Sequence, residues 1–452
     1  MNGLMTRLRS WLAPRWDGPD KVDAFLCKPL PPNVSWLHTL GSLLLFYIGF
    51  QILTGILLGF YYSAGPDLAY QSMQYIRNEL FLGRFLHNLH RYGSGFVIVT
   101  AFLHMVRSYF LASYKAPREL LWISGVMLFI LLTLFAFTGQ LLPYDQRGYW
   151  ATVVGIRIAS SAPGLGEAVH AMLTGGYGDI GATTLSRFYV LHIAVLPLMV
   201  LGLIGLHLGI LQRTGSEGPI SPGAAATPTR PFFPGQAAKD VLVAALGALA
   251  LGVVAAVVQA RETGPADPAA GSFVPRPEWY FLSHYVILKI LPGRWLIVGT
   301  FILPNIVLGG LMLLPLIDRK PHRGWRDRKL AVGAGALFVL GIVGLTAVGV
   351  IEARAEVRDS ESTVVEGLSQ DPVERGRAYF VGDNSCRTCH AINGAGGTQG
   401  PDLTHVAGRL RAEYLPRWVR NPRSFKPETE MPAFEGTDDQ LNDVIQYLLT
   451  LQ

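Results

Sequence analysis

The sequence predicts an all-α membrane protein: a polytopic bundle of seven transmembrane helices followed by a small all-α soluble domain. Three observations carry this reading. Half of the 452 residues are hydrophobic and only 15% are charged, against about a quarter charged in an average soluble domain. Long apolar runs recur at close to the roughly 20 residues a helix needs to cross a bilayer. After the last run the composition becomes that of a small soluble domain, from about Glu374 to Gln452.

The N-terminal stretch MNGLMTRLRSWLAPRWDGPDK is basic but lacks a long apolar core with a small-residue cleavage site, so no cleaved leader is expected. The first apolar run starts near Trp36 and ends near Tyr62. Others cover about 90–111, 120–142, 187–211, 240–259, 294–317 and 330–351. Basic residues flank these runs. Arg7, Arg9, Arg15, Lys21 and Lys28 precede the first, and Lys115 and Arg118 lie between the second and third. Arg213, Arg230 and Lys239 follow the fourth, and DRKPHRGWRDRK joins the sixth to the seventh. With seven spans all four groups fall on one side, which the positive-inside rule makes cytoplasmic. The C-terminus is then outside. The net charge of +6 is accounted for this way and does not call for nucleic acid.

The predicted organisation is a four-helix domain (1–211), a Gly/Pro/Ser-rich connection (212–239), a three-helix domain (240–351), a polar linker (352–373) and the soluble domain (374–452). Three cysteines, two of them in one short motif, exclude a disulfide framework and a four-cysteine metal or iron–sulfur site in this chain.

Ionisable residues inside spans are rare and usually functional. Span two carries His90 and His104, and span four carries His192 and His207. Fourteen helical steps end about 40° short of whole turns, and fifteen about 60° past them, so each pair shares a face. At about 1.5 Å per residue the members lie roughly 21 and 22 Å apart, one near each surface of a hydrocarbon core about 30 Å thick. One span intervenes, so spans two and four run parallel. His90 and His192 share the outer level, and His104 and His207 the inner. Two opposed imidazoles can ligate a haem iron from both sides, which suits electron transfer. Gly41 and Gly55 in span one, and Gly125 and Gly139 in span three, repeat the 14-residue step. Bare backbone there gives room for a flat macrocycle; glycines that merely pack helices are the alternative.

Cys386, Cys389 and His390 form C-x-x-C-H, the attachment motif of c-type haem. It follows VERGRAYFVG, precedes GPDLTHVAGR and is followed by ETEMPAF, which supplies Met431. This stretch, about 374–452, resembles a class I cytochrome c. Met431 is the expected second axial ligand, with His405 a weaker rival.

The segments HRYGSGFVIVTAFLHMVRSY, KAPRELLWISGVMLFILLTLFAFTGQLLPYDQRGYW, TLSRFYVLHIAVLPLMVLGLIGLHL and PRPEWYFL span most of residues 30–317. They resemble the cytochrome b subunit of quinol-oxidising cytochrome bc and chloroplast-type bf complexes. The 15-residue step from His192 to His207 is similar to the bf branch, where cytochrome b and subunit IV are separate; this chain resembles the two joined. The resemblance implies two non-covalent b haems and a quinol-oxidation site at Pro277, Glu278, Trp279 and Tyr280. Glu278 matches the proton-accepting carboxylate, and Tyr144 with DQRGYW matches the lining of the same pocket. Arg91 is a candidate haem-propionate partner or a snorkelling interfacial arginine. One departure is that Thr39 stands where the bf branch has a haem-binding cysteine, so no extra haem is expected there. Cys27 is expected to be an incidental thiol, and His38 a structural histidine or an inner quinone-site candidate.

The implied function is that of a cytochrome b–c fusion subunit of a quinol:cytochrome c-type oxidoreductase in a prokaryotic membrane. It implies a Rieske iron–sulfur protein on another chain, a cytochrome acceptor and a homodimeric complex. Two alternatives remain at this point: a haem-bearing membrane anchor of a dehydrogenase, and a membrane scaffold with a tethered cytochrome c.

Overall fold

In the computed structural model the described residues run from Thr6 to Leu451, except 8–9, 12–13, 16–22, 25, 32–33, 177–179, 217–229, 259–262, 269–275, 367–370, 382–385, 394, 398–399, 430 and 435. For 356–366 and 395–396 the description is of backbone alone. Arg9 and Lys21, residues 217–229 of the connection after span four, Pro275 and part of the polar linker therefore lie outside the described residues.

The helices are α1 (Leu40–Gly59), α2 (Ala69–Asn78), α3 (Gly83–Phe110), α4 (Glu119–Gln140), α5 (Gln146–Ser160), α6 (Gly166–Thr174), α7 (Ala182–Thr214), α8 (Gly235–Val257), α9 (Leu282–Ile290), α10 (Leu303–Ile317) and α11 (Lys329–Glu366). Four helices follow near the C-terminus: α12 (Pro372–Val381), α13 (Val406–Arg409), α14 (Tyr414–Arg420) and α15 (Asp438–Thr450). The described strands are two-residue pairs, Pro29–Leu30 with Arg230–Pro231 and Ala391–Ile392 with Ala395–Gly396. The all-α class is therefore as expected.

Among the described residues, six helices are long and apolar enough to cross a membrane. The expected second span falls on α3, which at 28 residues is about 42 Å long but is not among those six. It carries Arg84, Arg91 and Arg107 besides its histidines. Length qualifies it and polarity does not. The short helices α2, α5 and α6 between spans have no counterpart in the apolar pattern. The last helix continues to Glu366, well past the apolar run that predicted it.

The chain forms two units, Met1–Gly264 with Ile287–Val343, and Pro265–Val286 with Gly344–Gln452. In the first, α1, α3, α4 and α7 form a bundle in which α1 packs on α3 and α4 on α7. The helix α8 covers α1 and α3, and α10 covers α4. Large apolar side chains such as Leu198 (70% exposed) and Leu242 (48%) face outward. Lipid is as apolar as leucine, so close packing and hydrogen bonds must hold the helices together. Trp122 Nε1 donates to Leu311 O at 2.6 Å, and Tyr109 OH to Ala331 O at 2.6 Å. At one end of α10, Asp318 accepts from Tyr114 OH (2.6 Å), Lys115 Nζ (2.7 Å) and Arg328 Nε (2.9 Å). Lys115 also donates to the carbonyls of Lys320 and His322.

Two π turns interrupt the spans, Leu191–Val195 in α7 and Val298–Ile302 before α10. Each precedes a Leu-Pro pair, Leu196–Pro197 and Leu303–Pro304. Proline has no N–H and crowds the preceding turn, and a wider turn relieves both effects.

In the second unit, Leu282 and Val286 of α9 pack at Gly349 of α11, where a Cβ would lie 2.9 Å from Leu282 Cβ. The C-terminal domain is built on α12 crossing α15, so close that a Cβ on Gly376 would collide with Asp443 O. Phe380, Val406, Leu415, Val419, Val444 and Leu448 are among its core residues. Arg375 clamps Asp443 through Nε–Oδ2 and Nη2–Oδ1, both 2.8 Å. Thr437 caps α15 in a capping box with Gln440.

Candidate functional site

The four bundle histidines meet in pairs. His90 on α3 and His192 on α7 have ring centroids 6.3 Å apart, with planes at 79°. A single metal ion with a nitrogen bond of about 2 Å on each side would fill such a gap. His104 on α3 faces Gly41 of α1, and His207 on α7 faces Gly125 of α4. Among the described residues no three His, Cys, Asp or Glu converge on a bare-metal site. Each pair therefore suits a group that brings its own equatorial donors, such as a flat tetrapyrrole.

Each of the four glycines faces one imidazole. A Cβ would lie 2.6 Å from His192 Cε1 at Gly139, 3.1 Å from His90 Cε1 at Gly55, 3.3 Å from His104 Cε1 at Gly41 and 3.4 Å from His207 Cε1 at Gly125. The bare backbone thus accommodates the back of each histidine ring, a more local role than the macrocycle clearance the sequence suggested. It also sorts the levels: Gly55 and Gly139 accompany His90 and His192, while Gly41 and Gly125 accompany His104 and His207.

Hydroxyls then fix three of the rings. Nδ1 of His90 lies 3.0 Å from Thr54 Oγ1, that of His207 2.9 Å from Ser124 Oγ, and that of His192 3.2 Å from Thr138 Oγ1 and 3.2 Å from Phe135 O. Engaging Nδ1 orients the ring and leaves Nε2 for a ligand. Sequence reasoning missed these three residues, although each immediately precedes its glycine: Thr54–Gly55, Ser124–Gly125 and Thr138–Gly139. At the fourth site Leu40 precedes Gly41, and the buried His104 Nδ1 has no hydrogen-bond partner among the described residues.

The unequal steps of 14 and 15 residues are reconciled by the π turn Leu191–Val195, which contains His192. A π turn absorbs one extra residue. The 15-residue step along α7 therefore places His207 nearly as the 14-residue step along α3 places His104.

Arg91 follows His90 on α3 and is half-buried. Tyr144 is buried and has a left-handed backbone, φ 49°. Non-glycine residues held this way cluster at functional sites. Burial, and secondarily the Asp67 carboxylate, hold the Tyr144 phenol above its usual value. Beside it, Asp145 Oδ1 caps α5 by accepting from Gly148 N at 2.8 Å. Pro277 and Glu278 are half-buried and lead into the turn Trp279–Phe281, where Phe281 N donates to Glu278 O at 2.8 Å. The rings of Trp279 and Tyr280 lie edge to face at 5.6 Å, with Trp279 exposed and Tyr280 half-buried. Tyr144 belongs to the first unit and Pro277–Tyr280 to the second.

Thr39 is buried and donates to Trp36 O at 2.7 Å. His38 Nδ1 accepts from Ser35 N at 3.0 Å, a capping arrangement. Cys27 is exposed and unbridged.

In the C-terminal domain Cys386 and Cys389 lie at one short turn without a disulfide, and His390 N donates to Cys386 O at 2.9 Å. Burial pushes the Cys386 thiol up to about 11. The buried His390 ring is oriented by Nδ1 to Pro401 O at 2.7 Å and is packed against Gly400, which leaves Nε2 for a ligand. Met431 packs against the same core as Cys386, and its Sδ accepts from Trp418 Nε1 at 3.2 Å. His405 is exposed. Two neighbouring thiols, an oriented imidazole and a half-buried thioether together fit a covalently attached haem.

Comparison with known proteins assigns three stretches of the chain to families. Residues 25–215 match the family Cytochrome b/b6/petB, 265–360 match Cytochrome b(C-terminal)/b6/petD, and 373–452 match Cytochrome c. A "Cytochrome b/c1" of Bradyrhizobium diazoefficiens is 34% identical over 70% of this chain, and the match spans 46% of that protein's length. Cytochrome b6 of Heliobacterium mobile is 38% identical over 47% of this chain and all of its own length. A solved structure titled "Hyperthermophilic respiratory Complex III" superposes with a TM-score of 0.68 at 26% identity, covering 76% of this chain and 91% of that one.

Proposed function

The chain belongs to the cytochrome b family, with the C-terminal cytochrome b region and a cytochrome c domain on the same polypeptide, and from this premise we propose that it is the b–c fusion subunit of a proton-translocating quinol:cytochrome c-type oxidoreductase. The observation that carries the proposal is the close approach of His90 and His192, with the rings of all four bundle histidines each seated on a glycine.

Haem, when bound, supplies a one-electron couple at each site. His90 and His192 hold the outer b haem, and His104 and His207 the inner. Thr54, Thr138 and Ser124 keep three of those imidazoles turned with Nε2 inward. Arg91 pairs with a propionate by a charge-assisted contact. Cys386 and Cys389 would attach a c haem covalently, and His390 and Met431 would ligate its iron. Quinol binds at the outer side at Pro277, Trp279 and Tyr280. Glu278 accepts a quinol proton and delivers it outward, and Tyr280 orients the quinol hydroxyl. One electron goes by way of a Rieske iron–sulfur protein on another chain to the c domain. The second quinol proton also leaves outward. The other electron crosses to the inner level, and two such turnovers supply the two electrons that, with two protons taken up from inside, reduce one quinone to quinol.

In this reading α3 is the seventh span, its polar residues turned toward the haems. The complex is a homodimer in a prokaryotic cell membrane, with the N-terminus cytoplasmic and the c domain outside. A soluble or membrane cytochrome-type carrier accepts the electron. The test is Glu278→Gln in membranes containing the whole complex. Quinol oxidation is expected to fall about 100-fold while both b-haem bands stay unchanged. Undiminished turnover would remove Glu278 from the role assigned to it.

A further inference from the structure

Charge in the C-terminal domain is segregated along the sequence. Residues 409–426 carry Arg409, Arg411, Arg417, Arg420, Arg423 and Lys426 against one acid, Glu413. Residues 427–443 carry six acids and no base. Arg420 is drawn to Asp438, and Arg409 to the Asp402 carbonyl. Arg411, Arg417, Arg423 and Lys426 are exposed, with Glu413 and Glu428 the carboxylates beside them in sequence.

Three aromatic rings are interleaved with these cations. Tyr414 stacks on Trp418 at 5.9 Å, Phe425 lies 5.2 Å from Tyr414 and 5.9 Å from Trp418, and Arg417 sits 5.6 Å above Phe425. Phe425 is 39% exposed, whereas Tyr414 and Trp418 are half-buried. At the inner end of the cluster, Trp418 Nε1–H donates to Met431 Sδ at 3.2 Å. A continuous path of π-systems and one hydrogen bond thus joins a cationic surface to the proposed axial thioether.

We propose that this face is the port through which the c haem delivers one electron to an acidic one-electron carrier protein, with the exposed cations steering the encounter and Trp418 bridging Met431 to the surface. The iron goes from ferrous to ferric, and the carrier is reduced by one electron. No bond or proton is exchanged, and the indole keeps its N–H. An anionic lipid surface would also meet these cations. The partner argued for is a protein because the rings lead inward to the ligand rather than presenting an apolar face outward.

This rests on residues 373–452 carrying a c haem. A chain without a c-type spectrum fails that reading, whereas a normal spectrum with charge-independent oxidation fails this one. The experiment follows reoxidation of the reduced c haem in the full-length complex by three oxidants: ferricyanide, tris(phenanthroline)cobalt(III) and a blue-copper protein of net negative charge. The variant is R417E/R423E/K426E, with R417Q/R423Q/K426Q as the gentler second.

At low ionic strength the Glu variant is expected to slow ferricyanide and the acidic protein at least about tenfold and to speed the cobalt complex. The Gln variant should fall between it and wild type, and all differences should shrink in high salt. Rates unchanged for all three oxidants overturn the proposal. So does loss of binding to anionic vesicles with oxidation rates unaltered, which would assign the face to lipid.

Discussion

At the scale of single residues, the four glycines give the most quantitative expectation. Their distances to the imidazoles grade from 2.6 Å at Gly139 through 3.1 Å at Gly55 and 3.3 Å at Gly41 to 3.4 Å at Gly125. Added methyl groups in a packed interior cost about 1–3 kcal/mol when neighbours cannot yield. Gly139→Ala should therefore displace His192 and lower outer b-haem occupancy most, and Gly125→Ala least. Haem content of the four purified variants checks this. Equal losses at all four, or a reversed order, would contradict the ring-seating role. The histidines and glycines were legible because helical spacing alone aligns them. The hydroxyls of Thr54, Ser124 and Thr138 were not, because serine and threonine are unremarkable in membrane helices until their partners are known. The Leu40–Gly41 pair shows how specific that pattern is, since the one site without a preceding hydroxyl is the one whose Nδ1 is unmatched.

At the scale of elements, the spans were readable from apolar length, but their internal geometry was not. The π turn at Leu191–Val195 alters the angle that simple arithmetic assigns to His192, and only Pro197 hinted at it. The short helices α2, α5 and α6 escaped because none is long enough to show a decisive period. The network on Asp318 escaped because its partners lie far apart in sequence. Burial opposes ionisation of Asp318, yet hydrogen bonds from Lys115, Tyr114 and Arg328 outweigh it and hold the carboxyl below its ordinary value. A depressed folded pKa contributes stability above the unfolded pKa and loses it as pH falls through the folded value. Removing one partner of a largely buried ion pair costs about 3–5 kcal/mol. Asp318→Asn should destabilise the detergent-solubilised chain by that order near neutral pH. The gap to wild type should narrow below about pH 4. Thermal unfolding across pH measures both, and a gap that widened in acid would contradict the network's sign.

At the scale of the whole molecule, loop charge and C-x-x-C-H chemistry point the same way. In the proposed topology the basic loops would lie in the cytoplasm, and seven spans would deliver the c domain outside. This requires α3 to cross despite its arginines, which apolar length alone does not establish. Reporter fusions after Lys115, Lys320 and Gln452 should show the first two inside and the last outside. A cytoplasmic C-terminus would remove α3 from the spans.

The central claim is that four imidazoles on two parallel helices hold two haems. Pyridine haemochrome analysis of the purified full-length chain tests it most directly. Two b haems for each c haem are expected in the wild type, one in His90→Ala and one in His207→Ala. A wild-type ratio of one or none, or histidine variants that keep both, would contradict it.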